Sequence, residues 1–268
     1  MKRTTYILIG MLIAGLVAII GVIFYIPTLG STWEDNSVEI NGEQKTVQLP
    51  ECRVVQFLIH TDEKDRGKTV AFENTSLLMQ STDAATGSFA YADGMDSYLS
   101  MKTSGDTLNI VFDLSANKLD DKFKNMRWIN VRTAGMCLNI PESVQHVSVA
   151  AYVLKTTFKG FDRDTFSFNV QGAASVEDCR INSLSACAES LNFNSGEVHD
   201  LYLNLDDIRR WDVETDSFHI DTEHLTGSRE HRNTLQKGEC RQVLWTPQTE
   251  KASLTLNLPE AAKIEIGE

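Results

Sequence analysis

Residues 7–26 form an unbroken run of twenty apolar or glycine residues with no charge. At about 1.5 Å per residue a helix of that length matches the roughly 30 Å hydrocarbon layer of a bilayer. The rest of the chain must therefore fold beyond a membrane span. Lys2 and Arg3 precede the run and the next basic residue is Lys45. The positive-inside rule then places residues 1–6 in the cytoplasm, 7–26 across the inner membrane and the remainder outside. Tyr6, Tyr25 and Trp33 are suited to the headgroup zone, and Pro27 is expected to end the helix. A cleaved signal carries a shorter apolar core of about 7–15 residues and ends on small residues. This run ends on Phe24-Tyr25-Ile26, which favours an uncleaved anchor. Gly10, Ala14 and Ala18 make a small-residue stripe that would let two anchors pack closely, although small residues are common in spanning helices generally.

Beyond the anchor the apolar period changes to two. Val55/Phe57, Leu108/Ile110/Phe112, Phe166/Phe168/Val170, Leu191/Phe193, Leu201/Leu203/Leu205, Phe218/Ile220 and Leu254/Leu256/Leu258 alternate with polar residues, the mark of half-buried strands. Thr103-Ser104-Gly105-Asp106 and Asn194-Ser195-Gly196 punctuate them as turns. A short stretch within 116–125 is the one helical segment expected, so the exported part is all-β.

One motif recurs three times: Val47-Gln48-Leu49-Pro50-Glu51-Cys52, Leu138-Asn139-Ile140-Pro141-Glu142-Ser143 and Leu256-Asn257-Leu258-Pro259-Glu260-Ala261. Each runs into a second pattern: Cys52/Val55/Phe57, Val144/Val147/Val149 and Ala261/Ile264/Ile266. The second pattern returns alone at Val176/Cys179/Ile181, Val198/Leu201/Leu203 and Ile208/Trp211/Val213. Proline lacks a ladder N–H and fixes φ, so each copy reads as a strand turning a corner. Two columns align: Cys179/Ile181 with Leu201/Leu203 at a separation of 22, and Leu191/Phe193 with Trp211/Val213 at 20. A pitch near 20 residues suits one turn of a parallel β-solenoid, in which each apolar row is buried only by its neighbours. A β-sandwich is the alternative, since it shares the alternation but does not call for the repeat. The expected organisation is a stub at 1–6, an anchor at 7–26, a linker at 27–45 and a solenoid-like domain at 46–268, less regular over 38–135.

These corners and short strands, with Tyr98-Leu99-Ser100-Met101-Lys102-Thr103-Ser104-Gly105-Asp106-Thr107-Leu108-Asn109-Ile110, resemble the bacterial family described as "putative autotransporter adhesin, head GIN domain". The resemblance covers about 45–268. It implies an exported right-handed β-solenoid with a surface or envelope role, and it carries over no catalytic residue.

Function classes narrow through charge. The net charge of −12 argues against a nucleic-acid partner, whose phosphates need Lys and Arg. Once Lys2 and Arg3 are set aside, 37 acidic residues stand outside the membrane against 23 of the 25 basic ones, and anionic headgroups repel such a surface. Five cysteines without a CxxC pair fit neither a disulfide framework nor a zinc site. Cys52 and Cys179 fall at inward positions and read as small buried hydrophobes. No GxSxG, HExxH, P-loop, GxGxxG or EF-hand pattern occurs, and no cofactor is expected.

The densest chemistry is His199, His219, His224 and His231 with Asp200, Asp221 and Glu223. On a period-two strand His219 and Asp221 share a face, which with His224 makes them metal-ligand candidates. Solvated outward positions explain them more simply, because Phe218 and Ile220 must face in. Asp162/Asp164, Asp206/Asp207 and Asp120/Asp121 are candidate calcium ligands or glycosidase carboxylates, and solubility accounts for them equally. The separation of 22 stacks Arg180 near Tyr202 and Asp178 near Asp200, with Arg209 and Arg210 on the same exposed side. The sequence therefore favours a non-enzymatic, membrane-anchored envelope protein whose elongated surface serves adhesion, scaffolding or partner binding, an envelope protein or a glycan being the expected ligand. The alternative is a carbohydrate-active enzyme on a β-helix.

Overall fold

A computed structural model describes residues 2–29, 37–62, 68–115, 117–124, 126–151, 153–230, 233–236 and 240–257. The chain divides into two compact units, Met1–Ser37 and Val38–Glu268. The first holds one helix, α1 (Lys2–Leu29), within which Thr5–Tyr25 is long and apolar enough to cross a membrane. Its described side chains are exposed. The helix runs two residues past Pro27, which therefore does not end it. A proline in the last turn gives up its own N–H, and α1 absorbs that loss there. Trp33 lies outside the described residues.

The second unit is nearly all strand. Its first strand, β1 (Ser37–Ile40), already falls within the segment expected as linker. In chain order there follow β2 (Gln44–Gln48), β3 (Val54–His60), β4 (Thr69–Phe72), β5 (Ser76–Thr82), β6 (Ser88–Ala92), β7 (Leu99–Ser104) and β8 (Thr107–Asp113). After the one-turn α2 (Asp121–Lys124) come β9 (Trp128–Thr133), β10 (Met136–Pro141), β11 (His146–Ala150), β12 (Lys155–Lys159), β13 (Asp162–Glu177) and β14 (Cys179–Phe193). The last are β15 (Gly196–Asn204), β16 (Arg210–Val213), β17 (Phe218–Gly227), β18 (Asn233–Gln236), β19 (Cys240–Pro247) and β20 (Leu254–Asn257).

Among the described residues, two ladders make up a fifteen-stranded sheet. The first is parallel throughout and runs β8, β3, β11, β13, β14, β15, β17, β19, with β7 antiparallel on its outer flank. The second runs β2, β6, β10, β5, β12, β13, β14, β16, and its pairs through β6 are antiparallel. β13 and β14 belong to both. A register shift between Val170 and Ala173, beside Gly172 at φ 137°, bends β13 from one ladder to the other. β1, β9 and β4 form a separate three-stranded sheet, and β18 pairs with β20.

An all-parallel coil over the whole second unit is thus not what forms. The sheets are large and mixed, and a layered, sandwich-like arrangement fits them. The departures are local: the chain reverses after β5 to enter β6, and again at Gly105, φ 59°, in the β7–β8 hairpin. The column Leu191/Phe193 with Trp211/Val213 is present as expected. The column at a separation of 22 is not. Ile181 pairs with Val198, while Leu201 and Leu203 pair with Leu184 and Ala186. Parity misleads here because two outward residues stand side by side at each corner. Ile181 and Leu184 are both buried around Asn182 and Ser183, and Val198 and Leu201 around His199 and Asp200.

Inward columns form the core. Leu108, Val55, Val147, Phe168, Ala186, Leu203 and Leu225 lie in one register line, and Phe89, Leu138, Met79, Phe158, Val176 and Phe193 in another. All are buried, each large side chain contributing about 1.5–3 kcal/mol over exposure. Phe72 brings the three-stranded sheet against the first ladder, with ring centroids 6.2 Å from Phe57 and 5.4 Å from Phe112. The first two Pro-Glu corners lie side by side, with Val55 opposite Val147, Phe57 opposite Val149, and Gln145 N donating to Arg53 O over 2.8 Å. The third corner lies outside the described residues.

One corner is strained. Val153 has φ 63°, a left-handed conformation in which a β-branched side chain is an outlier, and it is 48 % exposed. With little apolar surface to lose, Val153→Gly should raise stability by about 0.5–1 kcal/mol, the relieved strain exceeding the added chain entropy. Thermal melts of the two proteins check this, and a lower melting temperature for the glycine variant would contradict it.

Candidate functional site

The outward face of the first ladder gathers polar groups by the same register that stacks the core. Three lines cross it: Thr165, Ser183, Asp200, Thr222 and Gln242; Ser167, Ser185, Tyr202, His224 and Leu244; Asn169 with Cys187, and Asn204, Thr226 and Thr246. At the adjoining corner Asp164, Asn182, His199, Asp221 and Arg241 stand between paired positions. Successive strands thus deliver like-placed side chains about 4.8 Å apart, within reach of one another along the stack.

These lines knit into a network. Asn182 Nδ2 donates to Asp164 Oδ1 over 2.8 Å. His224 Nε2 lies 2.8 Å from Asp200 Oδ1, and His199 Nδ1 lies 3.0 Å from Asp200 Oδ2. His199 Nε2 is 3.7 Å from Asp221 Oδ2, whose other oxygen is 3.3 Å from an Arg241 guanidinium nitrogen. The His224 ring stacks on Tyr202 with centroids 4.2 Å apart and planes 10° from parallel. Tyr202 and Leu244 remain 41 % and 40 % exposed, forming a ridge on an otherwise Ser/Thr/Asn-rich face.

Hydrogen bonds from His224 and then His199 hold the Asp200 carboxyl below its ordinary value, and the bond to Asp200 raises His199 above 6.5. The two act in opposite pH directions. His199 stabilises the fold at pH below 6.5 and loses that contribution as pH rises through its raised value. Asp200 stabilises above 3.8 and loses its contribution as pH falls through its lowered value. Both are solvent-accessible, so the effect on stability is small and screened by salt. The local readout is clear: in an NMR titration His199 should titrate above 6.5, and Asp200→Asn should bring it back toward 6.5. An unchanged midpoint would remove Asp200 as the cause.

Of the metal-ligand candidates, Asp221 and His224 enter this network and His219 does not. His219 and Asp221 both lie outward of buried Ile220, and the doubled outward pair Asp221-Thr222 follows; His219 continues the line Asp162, Arg180, Glu197. Among the described residues no group of three or more His, Cys, Asp or Glu is placed to hold a metal. His231 lies outside them. Glu223 is buried in the line of Phe166, Leu184 and Leu201 and is not on this face. Arg180 stands beside Glu197, not Tyr202, at a separation of 17, and Asp178 accepts from Ser195 Oγ, not beside Asp200.

Of the acidic pairs, Asp162 and Asp164 lie in β13, and the other two stand at turns and the one-turn helix. Asp206 accepts from Ser228 N over 2.8 Å and from its hydroxyl, which lowers its pKa, and Asp207 accepts from Asn204. Asp121 pairs with Lys124. Arg209 and Arg210 pair with Glu189 and Asp212. Cys52 and Cys179 are buried as expected, and burial pushes the Cys179 thiol up to about 11, away from reactivity. Asn182, Arg241 and Leu244 are site residues the sequence did not place, and Tyr202 is one it set beside the wrong neighbour. Their signal is the doubled polar gap between buried residues at each corner, which sets register better than alternation does.

What the face can do is present shape. Ion pairs and ring stacking restrict the rotamers of long side chains, so the face is already ordered.

No family model matches the chain, and no curated protein does. Solved structures that resemble it include a "putative adhesin" from Bacteroides fragilis at 11 % identity, covering 82 % of this chain and 96 % of that one with a TM-score of 0.45. A "putative lipid binding protein" from Parabacteroides distasonis is 12 % identical, covering 84 % and 100 % with a TM-score of 0.40. A "putative cell adhesion protein" from Clostridium sporogenes is 10 % identical, covering 81 % and 98 % with a TM-score of 0.29.

Proposed function

We propose that this chain is a non-enzymatic, membrane-anchored envelope protein whose β unit is a binding surface for adhesion, scaffolding or partner attachment. On this reading the first six residues are cytoplasmic, 7–26 crosses the inner membrane, and the β unit faces the extracytoplasmic space. The parallel ladder from β8 to β19 is its working part, wound as a right-handed β-solenoid with the β6 and β7 reversals as local additions. One observation carries the proposal: the ridge of Tyr202, His224 and Leu244 on a hydroxyl- and amide-rich sheet face, with the His224 ring stacked on Tyr202 and bonded to Asp200. Aromatic and aliphatic side chains that protrude from an ordered polar face give a partner apolar contact area and fixed hydrogen-bonding groups together.

A photo-reactive phenylalanine placed at Tyr202 in the full chain, in native membranes, should give a discrete covalent adduct on irradiation. The same probe at Lys102, exposed on β7, should not. Combining the Tyr202 probe with Leu244→Ala and His224→Ala should cut the yield severalfold. Probes at 202, 224 and 244 that all stay unreacted would sink the reading.

A further inference from the structure

Tyr202 and His224 are neighbours across β15 and β17, and their rings lie 10° from parallel with centroids 4.2 Å apart. That separation is close to the spacing of adjacent strands, so both rings stand upright on the sheet with their faces directed along the ladder. His224 covers one face of Tyr202. The other looks down the same register line toward Ser185 of β14 and Ser167 of β13, whose side chains are too short to rise against it. The next residue in the line is His146 of β11, with Nδ1 2.7 Å from Ser167 Oγ. A trough thus crosses β13 and β14, three strand steps or about 14 Å long between the Cα atoms of Tyr202 and His146.

Uncharged hydrogen-bonding groups line it. Thr165 and Ser183 flank the two serines on one side, Asn169 and Cys187 on the other. Ser185, Thr165 and Asn169 are exposed, and Ser167, Ser183 and Cys187 are half-buried. Burial holds His146 below 6.5 and pushes the Cys187 thiol up, so both stay uncharged in neutral solution. The carboxylates beside the trough are engaged, Asp164 by Asn182 and Asp200 by His224 and His199. In a chain of net charge −12, an uncharged trough does not draw in anionic ligands. What it offers is one bare aromatic face above a floor of donors and acceptors. A pyranose matches both, with a face of C–H groups that packs on a ring and a rim of hydroxyls that each donate and accept. An extended peptide is matched less well, because its backbone groups pair with the edge of a sheet and not with its face.

We propose that the trough between Tyr202 and His146 binds a neutral saccharide, one sugar ring packing on the face of Tyr202 turned away from His224, its hydroxyls bonding to Ser167, Ser183, Ser185 and Asn169. This names the ligand class of the binding surface proposed above and rests on that reading.

Titrating the full chain, in a detergent without sugar headgroups, with hexaoses of glucose, mannose, galactose and N-acetylglucosamine tests this, read by saturation-transfer NMR. At least one of them should bind, and a galacturonate hexaose should not. Tyr202→Ala, and Ser185→Trp, which fills the trough, should each weaken binding by about tenfold or more. Tyr202→Phe keeps the ring and Leu244→Ala lies beyond His224, so both should bind nearly as the parent does. Failure of all four neutral hexaoses to bind, tighter binding of the galacturonate, or affinity unmoved by Ser185→Trp in a protein that melts at the parent temperature would each overturn the inference. Its failure is separable from that of the surface reading. The adduct formed by the photo-reactive residue at 202 should lose mass under periodate, which cleaves vicinal diols. An adduct made of amino acids would leave a binding surface standing and remove the saccharide.

Discussion

Replacing Gly196 by alanine should lower the melting temperature of the β unit by about 6–12 °C, the effect of roughly 3 kcal/mol in a domain of this size. Gly196 opens β15 at φ 126°, a conformation side chains rarely adopt, and a Cβ there would stand 2.1 Å from the carbonyl oxygen of Cys179 and 2.7 Å from its nitrogen. Neither atom can move freely. Cys179 begins β14 and is paired with Gly196, and Gly196 N donates to Ser217 O over 2.9 Å. Relief would have to separate the starts of three adjacent strands. Gly160 supplies the contrast: its φ is 70° but nothing lies within 4 Å of a built Cβ, so Gly160→Ala should cost only about 1 kcal/mol. Melting temperatures that rank the two alanine variants equally would refute the steric argument.

Phe158→Ala should destabilise by about 3–5 kcal/mol, the usual cost of removing a fully buried aromatic ring, whereas Phe158→Leu should cost much less. Phe158 is 1 % exposed and stacks on Phe168 with centroids 4.2 Å apart and planes 18° from parallel. Phe166 and Phe161 complete the cluster, with centroids at 5.8 Å and 6.0 Å. The ring comes from β12, in the second ladder, while Phe166 and Phe168 come from the part of β13 that lies in the first. Its loss therefore opens a void where the two ladders meet. Urea denaturation gives the size of the effect, and a change under 1.5 kcal/mol would show that the cluster collapses around the gap.

Much of the β unit was legible because half-burial imposes a period of two, and that period survives in Phe166, Phe168 and Val170 as plainly as in Leu201 and Leu203. The same logic found the inward places of Cys52 and Cys179, and the column joining Leu191 to Trp211. It failed at corners. There two polar residues adjoin, parity resets, and a separation of 22 looked as sound as the true pairing of Arg180 with Glu197 at 17. That slip is why Tyr202 was set beside Arg180 and its stacking on His224 went unseen. The antiparallel entries at β6 and β7 left no mark that a period could reveal, since a reversed strand alternates just as a parallel one does.

β13 and β14, sixteen and fifteen residues long, are shared by both ladders. They act as a splice: neither half can peel away without tearing the other, so the last amides to yield to solvent belong there, while loosening starts at the outermost rungs. A pull on the β unit would then shed strands from its rim and keep its middle, which recovers by rewinding onto a seam that never came apart.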